Sequence, residues 1–353
     1  MIFMGDLPFV SIIIPCRNER DFIVNCLESV SSCEYPKDRM EVLVVDGMSD
    51  DGTRGLIGTF ARRYPFLKLK MLNNEKKTVP AALNKGIGIS KGEIVLRMDA
   101  HNTYDKLYIK KCVEGLARHN ADNIGGIWIT LPQKDALIPN SIAIGLSHPF
   151  GIGNAGYRLG SKKIRSVDTV PFGCYRRDLF EKIGMFDEDL TRNQDDEFNS
   201  RLIKNGGRII LDPDIISYYY ARDSIGKLWK TFYQYGYFKP LVAKKTKKIA
   251  TFRQLAPVFF AGGLLSSSVL SLISSKFEFL FLLPLISIYV LTGFCISIMI
   301  AFGRKNLWYL FSMPLIFFVL HTSYGAGYLK GALDFLILNK NRKKSILYVE
   351  ISR

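Results

Sequence analysis

The stretch Leu96-Arg97-Met98-Asp99-Ala100-His101-Asn102 places a carboxylate and an imidazole two residues apart, directly after an apolar run. At strand geometry residues i and i+2 project to the same side, so Asp99 and His101 can share one cation. A divalent ion held there would sit against a diphosphate. A turn is the plainer reading of the same residues, because Asp and Asn are ordinary turn formers. Two further clusters also end apolar runs: Pro15-Cys16-Arg17-Asn18-Glu19, and Asp46-Gly47-Met48-Ser49-Asp50-Asp51-Gly52-Thr53. Asp46 closes its run, which suits a carboxylate that accepts hydrogen bonds from a base or ribose, whereas Asp50, Asp51 and Thr53 read as helix caps. Another acidic group, Gln194-Asp195-Asp196-Glu197, opens a stripe carrying Phe198, Leu202 and Ile203. Acids in a first helical turn suit the helix dipole, and a carboxylate among like charges also suits a base that holds a proton briefly.

The elements needed to position these residues are legible upstream. "FVSIIIP", "MEVLVVD", "FLKLKML" and "EIVLRMD" read as strands. Between them Phe22, Ile23, Cys26, Leu27 and Val30, then Leu56, Ile57, Phe60, Ala61 and Tyr64, recur at helical spacing, and Thr78 with Pro80 opens a helix running to Ser90. Alternating strands and helices imply right-handed βαβ units and a mainly parallel sheet covered on both faces. Ligands bind at the carboxyl ends of such strands, where the first, second and fourth runs deliver their polar clusters.

The rest of the chain has a different character. Three apolar stretches, Leu255 to Ile273, Phe277 to Phe302 and Leu307 to Leu329, are long enough to cross a bilayer at about 1.5 Å per residue. His321, Thr322, Ser323, Gly325 and Gly327 make the third less secure, so two or three crossings stay open. Much of the net charge of +16 falls in Lys239 to Arg253, just before the first stretch. That position fits the positive-inside rule, puts the N-terminal part in the cytosol and argues against nucleic acid as the partner. Three crossings would strand the basic "NKNRKK" tail on the far side, against the same rule. The six cysteines form no C-x-x-C pair and sit in apolar surroundings, as reduced core residues do, and "MIFMGDLPF" lacks the basic start of a signal peptide. The expected organisation is an α/β domain over residues 1–222, an interfacial amphipathic and polybasic segment over 223–254, transmembrane helices over 255–330 and a basic tail over 331–353.

Taken in order, "VSIIIPCRNE", "EVLVVDGMSDDGT", "RMDAH" and "NQDDEFNSRLIKNG" resemble the family-two inverting glycosyltransferases, which use a GT-A nucleotide-sugar fold. "HPFGIGNAGYR", "VDTVPFGCYRRDLFEKIGMFDE" and "HTSYGAGYLKG" make the chain similar to the bacterial exopolysaccharide, succinoglycan-type membrane enzymes over nearly its whole length. The resemblance implies transfer of a sugar from a nucleoside diphosphate, commonly UDP, to a hydroxyl of a polyprenyl-diphosphate-linked glycan, at the cytosolic face of a bacterial inner membrane. It implies Asp195 as the base, with Asp196 as second choice. Pro15, Arg17, Glu19, Asp46, Arg97 and Asp99 fall to the donor. So do Arg222 and Gln234, where related enzymes close a basic and aromatic segment over the diphosphate; an interfacial helix with Leu228, Trp229, Phe232 and Tyr235 on lipid explains that segment equally well. The family's usual Asp-x-Asp ends here at His101, which with Asp99 would hold the metal; imidazole suits Mn²⁺ better than Mg²⁺, and both stay open. Trp128 reads as core or as a wall of the acceptor pocket. A polyprenyl-phosphate sugar synthase is the alternative enzyme, and a nucleotide-binding membrane anchor the non-enzymatic one.

Overall fold

The computed structural model describes residues 7–247 and 252–340. Part of the basic segment, the tail from residue 341 and the first six residues lie outside that range. In chain order the regular elements are β1 (Val10–Cys16), α1 (Ile23–Ser31), β2 (Met40–Asp46), α2 (Thr53–Arg63), β3 (Leu69–Asn73), α3 (Val79–Ile89), β4 (Ile94–Arg97) and β5 (Asn102–Tyr104). There follow α4 (Tyr108–Arg118), β6 (Asn123–Leu131), α5 (Leu137–Gly145), α6 (Pro149–Ile152), α7 (Gly156–Leu159), β7 (Arg165–Ser166), β8 (Cys174–Arg176), α8 (Asp178–Ile183), α9 (Gln194–Lys204) and β9 (Ile209–Tyr220). The chain ends in helices: α10 (Ile225–Thr246), α11 (Phe252–Ser271), α12 (Ser275–Phe277), α13 (Leu283–Gly303) and α14 (Tyr309–Ala332). Residues 7–129 and 156–219 form one compact unit; 130–155, 220–247 and 252–340 form a second.

The first unit is an α/β domain built on a nine-stranded sheet in the order β3-β2-β1-β4-β8-β6-β9-β5, with β7 beside β9. Alternation along β1 decides its layers. Ile12 and Ile14 pack with Ile23, Leu27 and Val30 of α1 and Ile109, Val113 and Leu116 of α4. Ile13 points the other way, into Leu83 and Ile87 of α3 and Phe198 and Leu202 of α9. A strand buried on both faces reads as a continuous apolar run, which is how "VSIIIP" announces itself. The parallel part of the sheet is β3-β2-β1-β4. The pairs β4–β8, β6–β8, β5–β9 and β7–β9 are antiparallel, so the sheet is mixed.

The second unit is helical. Its α10 lies against α14 at backbone distance: a methyl group on Gly327 would collide with the Tyr233 carbonyl, one on Gly331 with the Tyr237 carbonyl, and one on Gly236 with the Tyr324 carbonyl. Small residues at such crossings let backbones approach closely, the packing mode of helices that have lipid around them. Leu228 of α10 is fully buried, away from the lipid on which the interfacial-helix reading puts it, whereas Trp229 is exposed. Three helices, Gln254–Ser271, Ser275–Gly303 and Tyr309–Ile337, are long and apolar enough to cross a membrane. Phe279, Leu280, Ile288, Leu291, Met299 and Phe302 stand exposed along the second of them, a surface far beyond what a water-soluble protein leaves uncovered. Polar groups among these helices are satisfied internally: His321 joins the Tyr289 hydroxyl and the Phe150 carbonyl of α6, each at 2.7 Å, and Ser141 of α5 meets Ser312 at 2.8 Å. All six cysteines are thiols and five are buried; Cys295, on α13, is exposed.

Candidate functional site

In the first unit the register of the parallel strands brings three loops together. Cys16 of β1 lies opposite Asp46 of β2, and the amide of Met98, which follows β4, donates to the carbonyl of Ile13. The polar clusters after β1, β2 and β4 therefore leave the sheet on one rim. The β1 and β2 loops are stitched directly: the Asn18 amide nitrogen donates to Asp50 at 3.0 Å, the Asn18 backbone to Ser49 Oγ at 2.8 Å, and the Glu19 backbone to Thr53 Oγ1 at 2.9 Å. Asp51 accepts from the backbone of Thr53, the first residue of α2, at 3.0 Å, and from that of Arg20 at 3.1 Å; the N-cap itself is Gly52, so of the residues expected to cap, Asp51 serves the first helical amide from one position further out, while Asp50 and Thr53 tie the two loops. Asn18, Met48 and Asn193 all hold positive φ, of 52°, 59° and 60°. Left-handed non-glycine residues of this kind cost about 1–3 kcal/mol and gather where loops are shaped for a task.

The carboxylates differ in what they face. Asp46 is fully buried; it accepts from the Ser49 backbone at 3.0 Å, from the Ser49 hydroxyl, and from Arg54 at 2.6 Å, while the other arm of Arg54 reaches Asn73 at 2.9 Å. Three of the roughly four acceptor positions of a carboxylate are thereby used. Asp99 takes a two-pronged grip from Arg97, at 2.9 and 3.1 Å. Burial works to raise the Asp99 carboxyl, but the Arg97 charge and its hydrogen bonds, with His101 and Arg192, outweigh it and hold the group below the ordinary carboxylate range. Burial likewise works against the Arg97 charge, and the Asp99 and Asp195 carboxylates keep that guanidinium firmly protonated. Asp195 acts on Tyr175 of β8 as well, where burial first and then Asp195 raise the phenol against the pull of Arg97. Asp195 thus shares an electrostatic neighbourhood with the Arg97–Asp99 pair.

His101 Nδ1 lies 3.2 Å from Glu19 Oε1, so the β1 and β4 loops meet through these two side chains. The turn that carries His101 is closed by Asn102 donating to the Asp99 carbonyl at 3.2 Å, and the Tyr104 hydroxyl holds both the amide and the carbonyl of Asp99. At the head of α9, Asp195 and Asp196 are half-buried, and the Asp196 amide donates to Asp195 Oδ1 at 3.2 Å. Glu197 is spoken for: Arg201 binds it at 2.8 and 3.0 Å. Pro15 is half-buried opposite Val45, and the Arg17 side chain passes over Gly47, where a Cβ would stand 3.2 Å from it. Arg222 and Gln234 belong to the second unit, where both are buried and Arg222 Nε donates to Thr231 at 3.3 Å.

Trp128 is half-buried, stacked on Tyr219 at 4.7 Å, with the Arg158 guanidinium 4.4 Å above its ring. Tyr219 in turn meets the His101 ring edge-on at 5.9 Å. Sequence reading gave no role to Arg54, Tyr104, Arg158 or Tyr219. Each partners a residue that had been singled out, and only for Arg54 and Tyr104, eight and five residues beyond Asp46 and Asp99, was spacing a usable signal.

Among the described residues no group of three His, Cys, Asp or Glu side chains could hold a metal ion unaided. His101 beside Glu19 and Asp99 fits the other kind of site, in which one or two protein ligands are completed by phosphate oxygens and water. Both Asp99 oxygens are engaged by Arg97, which makes His101 the better ligand of the two.

Residues 11–184 match the family described as Glycosyl transferase family 2. The dolichyl N-acetyl-alpha-D-glucosaminyl phosphate 3-beta-D-2,3-diacetamido-2,3-dideoxy-beta-D-glucuronosyltransferase of Methanococcus voltae is 29% identical over 332 residues, 92% of this chain and 97% of that protein. The succinoglycan biosynthesis protein ExoA of Rhizobium meliloti is 25% identical over 328 residues, 92% of this chain and 95% of ExoA. Among solved structures, the mannosyltransferase PcManGT of Pyrobaculum calidifontis, in complex with GDP-Man and Mn²⁺, superposes with a TM-score of 0.59 at 19% identity, over 95% of this chain and 89% of that one. That likeness bears on the fold.

Proposed function

The chain belongs to glycosyl transferase family 2, and from that premise we propose that it moves a sugar, with inversion, from a nucleoside diphosphate to a hydroxyl of a lipid-linked glycan. Its general business is polysaccharide or lipid-linked glycan synthesis, as in the relatives from Methanococcus voltae and Rhizobium meliloti. UDP is the proposed nucleotide, and a polyprenyl diphosphate the proposed carrier. The second unit supports the choice of acceptor: three apolar helices keep the enzyme where a lipid-borne sugar lies. Cytosolic placement of the first unit rests on the basic residues before α11, and the bacterial inner membrane remains the proposed setting, with one of the two relatives archaeal.

The observation that carries the reading is that Asp99 and His101, in the turn after β4, and Asp195, at the head of α9, gather around Arg97 and Glu19, with both Asp99 and Asp195 acting on the Arg97 charge. There the β1 and β2 loops, with Arg17, Glu19 and Asp46, hold the nucleotide. Asp99, with its orientation fixed by Arg97, receives ribose or diphosphate. His101 and, second to it, Asp99 would hold Mn²⁺ or Mg²⁺, which when bound neutralises charge on the departing diphosphate. Asp195 accepts the proton of the acceptor hydroxyl, with Asp196 next in line and Glu197 set aside by Arg201. Membranes carrying the protein, given radiolabelled nucleotide sugars, lipid extract and Mn²⁺, should pass label into the lipid phase; label that stays in the donor with every sugar and extract overturns the proposal. An acceptor that is already ionised needs no base, so Asp195→Asn with transfer intact would turn the reading toward a polyprenyl-phosphate sugar synthase.

A further inference from the structure

Where a chain of this kind carries a carboxylate to meet a cation, orientation matters little, because both oxygens accept and every rotamer offers lone pairs. An imidazole at position 101 is different: in the neutral ring one nitrogen carries the proton and only the other can bind. In water the proton favours Nε2. Something must then decide which nitrogen faces the ligand.

The geometry points to Glu19 as the positioning residue of His101: its carboxylate accepts the Nδ1–H and so puts the lone pair on Nε2, toward the cation that accompanies a nucleoside diphosphate. The inference rests on the nucleotide-sugar reading of this site. The contact spans 3.2 Å between residues 82 positions apart in the chain. Glu19 is well anchored for the task. It is only 6% exposed, its amide donates to Thr53 Oγ1 at 2.9 Å, and its carbonyl accepts from Phe22 and Ile23, each at 2.9 Å. The ring is braced on another side by the edge contact with Tyr219, and its turn is pinned by the Tyr104 hydroxyl. A carboxylate on the far nitrogen of a ligating histidine fixes tautomer and ring direction together, and losing it commonly weakens metal binding 10- to 100-fold.

The chain holds four histidines, so the full-length protein in detergent, labelled with ¹⁵N-histidine, can be resolved by long-range ¹H–¹⁵N correlation and His101 assigned with the His101→Asn variant. Without metal or nucleotide, wild type should show His101 protonated on Nδ1 alone. Glu19→Ala should move that proton to Nε2, and Glu19→Gln, which keeps an acceptor oxygen, should retain it on Nδ1. Mn²⁺ bound in the presence of UDP, read by electron paramagnetic resonance, should weaken at least about tenfold in Glu19→Ala and far less in Glu19→Gln. A wild-type His101 protonated on Nε2, or a tautomer indifferent to Glu19→Ala, overturns the inference. His101→Ala with unaltered Mn²⁺·UDP binding overturns it together with the metal reading. Loss in His101→Ala but none in Glu19→Ala sinks the role of Glu19 alone.

Discussion

The two units of the chain treat polar groups in opposite ways. In the α/β unit charge collects at strand ends: Arg97 with Asp99, Arg54 with Asp46, and His101 with Glu19, each pair joining residues half-buried or buried. In the helical unit many polar groups between the apolar helices are neutral and turned inward, and the buried Asp334 carboxylate is matched by Lys330 at 2.5 Å and Lys340 at 2.9 Å. Ser297, Thr322 and Ser323 donate to carbonyls one turn back, and His321 is held between a hydroxyl and a carbonyl. A lipid solvent cannot satisfy a stray polar group, so that unit pairs polar groups within itself, whereas water at the sheet rim lets the other hold charges in readiness. Damage to the first should therefore be chemical and local, and damage to the second structural.

The largest effect expected is on chemistry alone. Asp195→Asn should lower transfer to a hydroxyl acceptor by about a thousandfold, a typical worth of a general base, while nucleotide binding and melting temperature stay near wild type. A melt shifted as far as the activity would mean that Asp195 holds α9 together instead. Asp99→Asn should affect both, because it leaves the Arg97 charge half-buried beside a neutral amide, at about 3 kcal/mol of stability. The Asp99 carboxyl is depressed in the folded protein, so its stabilisation is complete above the ordinary carboxylate range, near pH 4, and is lost as pH falls below it. Denaturation followed from pH 7 to pH 3 should steepen in wild type near the acid end and run flatter in Asp99→Asn; parallel curves would rule the pair out as an acid-labile contact.

In the helical unit Gly327→Leu should cost about 2–3 kcal/mol, since its side chain meets the Tyr233 backbone instead of a yielding side chain. Thermal unfolding in detergent should fall accordingly, with UDP affinity per folded molecule unchanged. If UDP binding is lost while the helical melt is unaffected, the contrast between the units fails.

How much of this could be read in the sequence depended on period. The strands β1, β2 and β4 and the stripe of α1 are continuous or periodic apolar patterns, and the same residues are buried in the fold. That Asp51 serves an amide at the start of α2 was recognisable because the contact is local. In the antiparallel half of the sheet β7 and β8 were not legible, because at two and three residues they are too short to carry a period. The burial of Leu228 was hidden for another reason, since α10 shows an amphipathic face whether its neighbour is lipid or α14. At the site, residue types were visible at positions 46, 99, 101 and 195, while their pairings were not. Glu19 reaches His101 and Arg158 reaches Trp128 only through tertiary contacts.

The smallest effect sharpens the comparison most, because it asks whether the rim owes its readiness to charge or to backbone shape. Tyr104→Phe removes one hydroxyl and no charge. That hydroxyl bonds the amide and the carbonyl of Asp99 from five residues away, on β5, whose Asn102 pairs with Tyr219 of β9. Its loss should cost about 1 kcal/mol, the usual net worth of a hydrogen bond, spread between stability and the placing of the Asp99–His101 turn. A loosened turn lowers the share of molecules with both side chains in register, so the KM for the donor should rise a few-fold with kcat nearly constant. The Arg97–Asp99 pair remains, and the acid limb of the stability profile should keep its wild-type slope. A change in that slope with KM unmoved would mean that Tyr104 supports the ion pair and not the turn, and that charge alone organises this edge of the sheet.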